Sequence, residues 1–571
     1  MFKPELLNCL KNYSFKDFTS DFIAGVIVGI VALPLSIAFA IASGASPETG
    51  LYTAIIAGFC IAAFGGTRVQ IGGPTGAFTV IIYGIINNPE LGFSGLATAT
   101  VLAGIMLILL GVFKMGGLVK FIPYTIVIGF TAGIAVTIAS GQLCDFFGLS
   151  PDFSTPIEVL GKTYTKMPGD FVGKIAVCAA SFKTINWYSF AMSVICLAVI
   201  FLWPKITDKI PGSLVVIILA TLANLLFSHF CNLHTDIIND RYVIPSSLPK
   251  PALPSLSVST IVTVFPTACS IAVLAAIESL LSAVVADGMI GTKHDSNTEL
   301  IGQGIGNILS PLFGGLPATG AIARTATNIK NGGRTPVAGM VHAVVLLVIM
   351  VFLGKYVVFI PMAALAAVLI NVAWNMAGIP AVKALLKGQK SDICVLAVTF
   401  LITVFVDLTV AIAVGLGFAA FFFIKKMIDV SEMQTRQGAF ASGIKGSGND
   451  EQIVIPEGVL VYEIDGPLFF GTVRKFELAV EQAGVAYRVL IIRMRNTIYL
   501  DAGGIRALEQ CKQACDRKKI TIIISGIHTQ PYMLMEKMGM CDALGKENIF
   551  DNINDALKRA EEVSKQKANK Q

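Results

Sequence analysis

Ile71-Gly72-Gly73-Pro74-Thr75-Gly76-Ala77-Phe78 has a counterpart far downstream, Leu316-Pro317-Ala318-Thr319-Gly320-Ala321-Ile322-Ala323-Arg324, in which Thr319 follows Thr75 by 244 positions. Each stretch comes after an apolar run closing in Phe-Gly-Gly, at Phe64-Gly65-Gly66 and at Phe313-Gly314-Gly315. A further match lies beyond them, where Phe121-Ile122-Pro123 and Phe359-Ile360-Pro361 open apolar segments 238 positions apart. A membrane chain that repeats itself once, with a Gly/Pro-broken segment at the same place in each half, points to a secondary transporter whose substrate site lies at the breaks.

The membrane class follows from composition. Mean hydropathy is +0.73, 54% of residues are apolar and only 14% are charged, far from an ordinary soluble domain. Phe22 to Ala42 is 21 residues without a charge, and a helix crossing the hydrocarbon needs about 20. By contrast, 38 of the 80 charged residues lie from Asp429 onward. The chain therefore divides into an N-terminal segment (1–19), a membrane domain (20–427), a linker (428–451) and a soluble tail (452–571). The N-terminus, with Lys3, Lys11 and Lys16, carries no removable signal peptide pattern. The 11 cysteines show no metal spacing or disulfide framework, and the pair Cys511 and Cys515 reads as packing. No cofactor is expected, and the net charge of +6 reflects Lys and Arg at membrane edges rather than nucleic-acid binding.

Fourteen membrane segments are predicted, at 20–42, 50–66, 74–87, 94–113, 119–142, 186–203, 211–228, 260–287, 297–312, 318–329, 336–354, 358–377, 391–406 and 408–425. With the N-terminus inside, 13 Lys and Arg residues of the connecting segments fall cytoplasmic, from Arg68 to Lys426, against seven outside, nearly all of these in two long loops. That bias puts both termini in the cytoplasm of a cell (inner) membrane protein. Seven segments per half is odd, so the halves are inverted relative to each other.

A helix broken in mid-membrane leaves backbone N–H groups unpaired and carries partial positive charge at its start. In hydrocarbon those groups need a ligand, water or a neighbouring helix. Pro74 and Pro317 suit the preceding turn or first helical position, and Gly72, Gly73, Gly76 and Gly320 allow close backbone approach. Thr75 and Thr319 are expected to cap the half-helices or donate to a bound oxyanion. Two such termini facing each other make an anion site. Arg324, about two turns into the second half-helix, is costly at membrane depth and can pair with a carboxylate or sulfate; snorkelling beside Lys330 and Arg334 is the competing placement.

Glu278, in Leu274-Ala275-Ala276-Ile277-Glu278-Ser279-Leu280-Leu281-Ser282, is the other costly residue. Desolvation favours the protonated form of an unpaired carboxylate, which suits it to carry the proton of a symporter; a salt bridge to Arg324 is the alternative. Ser282, one turn on, is read with it as part of the coupling site. Asp287 is expected to be solvated or capping.

In the tail, strands are predicted at Gly458–Ile464, Arg488–Met494 and Ile520–Gly526, with helices after Pro467, after Asp501, near Gln530 and at Asn552–Ser564. Alternation of this kind implies a small α/β domain. It contains no phosphate loop, metal cluster or nucleophile-plus-base pair, so a docking or regulatory module is expected rather than an enzyme.

The run Ala32-Leu33-Pro34-Leu35-Ser36-Ile37-Ala38-Phe39-Ala40-Ile41-Ala42-Ser43-Gly44, leading to Gly50-Leu51-Tyr52, resembles the signature of sulfate permease (SulP) family anion transporters. The resemblance covers nearly the whole chain. It implies an all-α polytopic membrane domain of 14 segments, a 7+7 inverted repeat with two broken half-helices, followed by a cytoplasmic α/β STAS domain. The stretch Ala276–Asn307, with Gly288-Met289-Ile290-Gly291-Thr292-Lys293-His294 and Gly302-Gln303-Gly304, is similar to the bacterial branch that includes C4-dicarboxylic acid transporters. The resemblance implies an anion site at Phe39, Thr75, Gly76, Ala77 and Phe78, at Thr319, Gly320 and Ala321, and at Arg324. It also implies pairing into a homodimer and a cytoplasmic partner for the STAS domain. Members with sodium-coupled bicarbonate uptake carry Asp where Glu278 stands and Thr where Ile322 stands, which argues here for protons over sodium. Animal members carry Gln at the place of Leu35, so this site is less polar on that side. Related anti-sigma-factor antagonists have a phosphorylatable serine where Ala502 stands, so that switch is absent. The expected activity is proton-coupled uptake of a small dianion, sulfate or a C4-dicarboxylate, with bicarbonate or another anion, or channel-like conduction, as the alternatives.

Overall fold

The computed structural model describes residues 2–117, 123–154, 156–159, 161–207, 211–231, 233–242, 251–254, 257–406, 408–430, 432–436, 455–469, 472–473 and 487–568. Phe121, Ile122, Lys120, Lys209, Lys250, most of the linker and most of the helix expected after Pro467 lie outside these residues. The chain forms two compact units, Met1–Ala419 and Ala420–Gln571.

All fourteen expected membrane segments fall on helices. In chain order these are α1 Phe15–Ala42, α2 Pro47–Phe64, α3 Thr79–Ile86, α4 Gly92–Val112, α5 Tyr124–Gly141, α6 Trp187–Leu202, α7 Gly212–Cys231, α8 Val258–Ile290, α9 Ser296–Leu312, α10 Ile322–Lys330, α11 Pro336–Val357, α12 Met362–Met376, α13 Lys390–Phe405 and α14 Leu408–Val430. Among the described residues ten helices are long and apolar enough to cross a membrane; α3, α9, α10 and α13 are the shorter four. The first helix starts earlier than expected. Ser14 and Asp17 form a capping box, in which the Ser14 hydroxyl accepts from the Asp17 N–H and the Asp17 carboxylate accepts from the Ser14 N–H, so α1 begins at Phe15 rather than near residue 20.

The packing pairs exchange when the halves are swapped. Helix α1 packs on α11 as α8 packs on α4; α2 packs on α11 as α9 packs on α4; α6 packs on α12 as α13 packs on α5. An inverted repeat has this property. The same pairs sort the bundle into two groups, α1–α4 with α8–α11, and α5–α7 with α12 and α13. Small residues permit the closest crossings. A Cβ on Gly104 would sit 2.7 Å from the Gly304 carbonyl oxygen, and one on Gly304 would sit 2.5 Å from that of Gly104.

Between the halves, the two quoted stretches pair as a minimal antiparallel ladder. Strands β1 (Gly72–Gly73) and β2 (Thr319–Gly320) align Gly72 with Gly320 and Gly73 with Thr319. A chain entering the membrane without forming a helix must satisfy its polar backbone, and each half-loop does so on the other.

The second unit is a five-stranded sheet, β3 (Glu432–Arg436), β4 (Val459–Asp465), β5 (Val489–Arg493), β6 (Thr521–Ser525) and β7 (Ile549–Phe550), in that order. All neighbours are parallel except β3 with β4. Among the described residues it is accompanied by helices α15 (Ala502–Arg517), α16 (Thr529–Lys537), α17 (Met540–Leu544) and α18 (Ile553–Ala568). Asp501 caps α15 by accepting from the Gly504 N–H at 2.8 Å. One boundary is corrected: residues 428–451 are not wholly linker, because Glu432–Arg436 is an edge strand hydrogen-bonded to β4. Its sequence, Glu-Met-Gln-Thr-Arg, lacks the apolar run by which the other strands were legible.

Candidate functional site

The half-helices α3 and α10 begin at the centre of the first packing group, each preceded by its half of the β1–β2 ladder. The Gly76 and Ala77 N–H groups and those of Ile322, Ala323 and Arg324 have no acceptor among the described residues. Five such donors at two helix starts form a ready anion cradle.

The threonines do something sequence alone did not resolve. Neither caps a helix: Thr75 makes no capping hydrogen bond, and the residue at the cap of α10 is Ala321. Both donate to one carboxylate oxygen, Oε2 of Glu278 on α8, Thr75 at 2.9 Å and Thr319 at 3.0 Å. The Thr319 hydroxyl also lies 3.0 Å from the Gly320 carbonyl oxygen. With a single proton, it serves either Glu278 or that carbonyl. Thr319 is fully buried, whereas Thr75 and Glu278 are partly open.

Arg324 is 3% exposed and does not snorkel. One guanidinium nitrogen, Nη2, donates to the Pro74 carbonyl oxygen across the ladder. The other, Nη1, is buried without a hydrogen-bond partner and approaches the Cα of Gly73, where a Cβ would lie 2.4 Å from it. Gly73 holds a positive φ of 154°, so two independent facts require glycine there. Among the described residues no ion pair joins Arg324 to Glu278, so the salt-bridge alternative does not hold in this state. A buried, half-satisfied guanidinium beside two helix N-termini is a net positive site.

Phe39 of α1, Ile138 of α5 and Met376 of α12 converge on Gly76, where a Cβ would meet the Phe39 ring at 3.2 Å, Ile138 at 2.7 Å and the Met376 sulfur at 3.2 Å. They form an apolar wall contributed by both packing groups. Ala77 and Phe78 are fully buried, and Gly320 donates its N–H to the Ser279 hydroxyl at 3.0 Å. Ser282, one helical turn from Glu278, makes its side-chain hydrogen bond elsewhere. Its hydroxyl lies 3.3 Å from Thr325 Oγ1, which accepts the Ile71 N–H at 3.1 Å. It therefore braces the first loop against α10.

Sequence reading missed the scaffold that holds both loops. Glu299 of α9, fully buried, accepts from Gln70 Nε2 (2.7 Å), Gln303 Nε2 (2.8 Å) and the Gly66 N–H (2.9 Å). Gln70 Nε2 also reaches the Ser279 carbonyl at 3.2 Å, one residue from Glu278. Asn307 both donates to the Ala318 carbonyl (2.9 Å) and accepts its N–H (2.8 Å). Glu299, Gln303 and Asn307 are spaced by four in an apolar helix, a polar stripe that could have been read as a buried brace. Among the described residues no cluster of His, Cys, Asp or Glu is placed to hold a metal ion. Asp287, expected to be solvated or capping, fastens the α8–α9 turn by accepting from the His294 N–H at 3.0 Å, with the His294 ring nitrogen 2.7 Å away.

Residues 18–399 match the sulfate permease family and residues 452–556 the STAS domain. Over 543 residues, the chain is 39% identical to YvdB of Bacillus subtilis (strain 168), provisionally named a sulfate transporter, covering 95% of this chain and 98% of that one. It is 29% identical over 558 residues to the bicarbonate transporter BicA of Picosynechococcus sp. (strain ATCC 27264 / PCC 7002 / PR-6), covering 96% and 95%. The solved structure of SLC26A9 shares the fold, with a TM-score of 0.83 at 21% identity over 99% of this chain and 93% of that one. The transmembrane domain of a cyanobacterial bicarbonate transporter BicA matches with a TM-score of 0.61 at 31% identity, over 70% and 98%.

Proposed function

This chain belongs to the sulfate permease family, a multi-pass membrane anion transporter rather than an enzyme, and from that premise we propose that it imports a small dianion, sulfate or a C4-dicarboxylate, together with protons by alternating access. The observation that carries the reading is the single Glu278 oxygen receiving both Thr75 and Thr319 hydroxyls at the meeting point of the two half-helices. An ionised Glu278 occupies both hydroxyls and places a negative charge beside the anion cradle. Protonation removes that charge and turns the carboxyl into a donor. The hydroxyls are then free for the substrate, and Thr319 can turn to the Gly320 carbonyl. Like charges in a low-dielectric site repel strongly, so proton and anion each favour binding of the other, which is the thermodynamic content of symport.

Arg324 and the free N–H groups supply the positive potential, and Phe39, Ile138 and Met376 close the apolar side. Because Phe39 belongs to one packing group and Ile138 and Met376 to the other, rocking of one group against the other would expose the site to alternate faces. In this reading both termini are cytoplasmic, the protein works as a homodimer, and the STAS domain docks a cytoplasmic partner.

The test is uptake of sulfate, fumarate and bicarbonate into proteoliposomes with and without an inward proton gradient. Glu278→Gln, a mimic of the protonated state, is expected to keep anion exchange and lose acceleration by the gradient. Gradient-driven uptake equal to wild type would make Glu278 structural. Bicarbonate as the preferred anion, with sodium dependence, would move the protein to the alternative suggested by its likeness to the bicarbonate transporter.

A further inference from the structure

Three elements run outward from the anion site and meet again at its far end. Just past the end of α1, Gly44 lies five residues beyond Phe39, and a Cβ there would touch the Tyr83 ring at 3.1 Å. On α3, Tyr83 is seven residues beyond Gly76, roughly 10 Å along a helix axis. On α5, Gly141 is three residues beyond Ile138. At this far end stands Lys174, on the short helix Phe171–Ala180 between α5 and α6. Its side chain is 4.9 Å from the centre of the Tyr83 ring, and a Cβ on Gly141 would lie 3.7 Å from its Nζ. The ammonium thus sits between α3 and α5, over the seam along which these elements meet from Gly76 and Ile138 outward.

Lys174 is 9% exposed. Among the described residues it makes neither a hydrogen bond nor an ion pair; the adjacent carboxylate, Asp170, instead caps its helix by accepting the Gly173 N–H at 2.8 Å. A buried ammonium over an aromatic face, with Asp170 as a neighbouring carboxylate but no ion pair to it, is costly unless it serves something else. The neighbouring contacts fix the segment over the end of α3: the Tyr83 hydroxyl donates to the Met167 carbonyl at 2.9 Å and Lys166 donates to that of Asn87 at 3.3 Å.

We propose that Lys174 is the entrance cation of this transporter: it closes the seam in the present state by capping Tyr83 and, when α3 and α5 part, gives the incoming anion its first charged contact. Arg324 of α10, bonded to the Pro74 carbonyl ahead of α3, and Lys174, over the Tyr83 ring towards the end of α3, then form two successive cationic stations on one path. The proposal rests on the anion-transport reading of the site but not on which anion is carried or on proton coupling. A simpler role, complementing the carbonyl end of α3 electrostatically, predicts a different result.

The experiment uses the full chain in sealed vesicles of known orientation and the small mono- or dianion that wild type moves fastest, so the substrate identity is settled separately. With anion supplied on the face bearing residues 143–186, Lys174→Gln is expected to raise KM about tenfold, the lower end of what focused charge does for association, with kcat unchanged. Lys174→Arg should restore KM, and KM from the opposite face should match wild type. An unchanged KM in Lys174→Gln, an equal rise from both faces, or a fall in kcat alone would overturn the proposal. The last of these outcomes marks a purely structural lysine.

Discussion

The two half-loops are alike in backbone and unlike in chemistry. Each places a Pro, a Thr and a Gly before a half-helix, each leaves its first N–H groups free, and each Thr donates to the same carboxylate oxygen. Yet the charges belong to one half. Arg324 corresponds by the 244-residue offset to Val80 in the first half, and Glu278 comes from α8, the opening helix of the second. The brace is also one-sided: α9 supplies Glu299, Gln303, Asn307 and Ser310, while α2 adds only Thr53, which accepts the Leu316 N–H at 2.6 Å. Duplication accounts for the cradle, which is backbone and needs the same fold twice. In the proposed mechanism selectivity and coupling rest on side chains, and one copy suffices.

That asymmetry is most exposed at Arg324. If the second half supplies the charge, Arg324→Ala weakens anion binding by roughly 1–3 kcal/mol, the cost of losing a charged hydrogen-bond partner, or about 5- to 150-fold in affinity. Val80→Ala, its positional equivalent, is expected to leave binding near wild type. Titration calorimetry or anion-dependent thermal shift on the two purified variants reads both numbers. Comparable losses would show the positive potential to be shared by the helix ends, with the guanidinium serving mainly to hold Pro74.

Much of this is legible in the sequence alone. The repeat, the fourteen segments and the positions of the breaks follow from apolar run length and from Gly and Pro, which act locally and so leave a local trace. The partner of a polar side chain leaves none. Thr75 and Glu278 are 203 residues apart, and nothing in either neighbourhood says that the hydroxyl points to a carboxylate rather than to a helix end. Arg324 was legible as costly, but whether it snorkelled depended on the depth of α10, which the β1–β2 ladder sets. Ser282 lies one helical turn from Glu278 and shares its face by spacing, and its hydroxyl is directed to Thr325. Strand β3 went unseen because an edge strand pairs on one side and need not be apolar.

The threonines sharpen the comparison further. Thr319 is fully buried and has a second acceptor in the Gly320 carbonyl, whereas Thr75 is partly open, where water can replace a lost hydroxyl. Thr319→Val is therefore expected to weaken anion binding by about 0.5–1.5 kcal/mol, the net worth of a hydrogen bond, and Thr75→Val by less. The same binding assay decides. Equal losses would mean that the bound state closes over both hydroxyls alike and that the difference in burial belongs to this conformation alone.

The smallest effect is expected from the second unit, which has its own apolar cores around Tyr462 and Ile492 on one side of the sheet and Val461 and Ile491 on the other. Every residue proposed for the anion site lies in the first unit, so removing the tail should leave affinity unchanged. Where the cut falls matters more than the cut itself. Ending the chain after residue 451 keeps Glu432–Arg436 but deletes Val459–Asp465, the strand it pairs with. An unpaired edge presents free N–H and C=O groups to any other chain. Ending after Val430 removes the whole sheet. Both truncations are expected to bind anion like wild type in detergent, while only the longer one should aggregate, as size-exclusion chromatography would show. If the shorter truncation loses binding while eluting as a well-folded particle, the tail contributes to the site, and the contrast between the two half-loops is not sufficient to explain it.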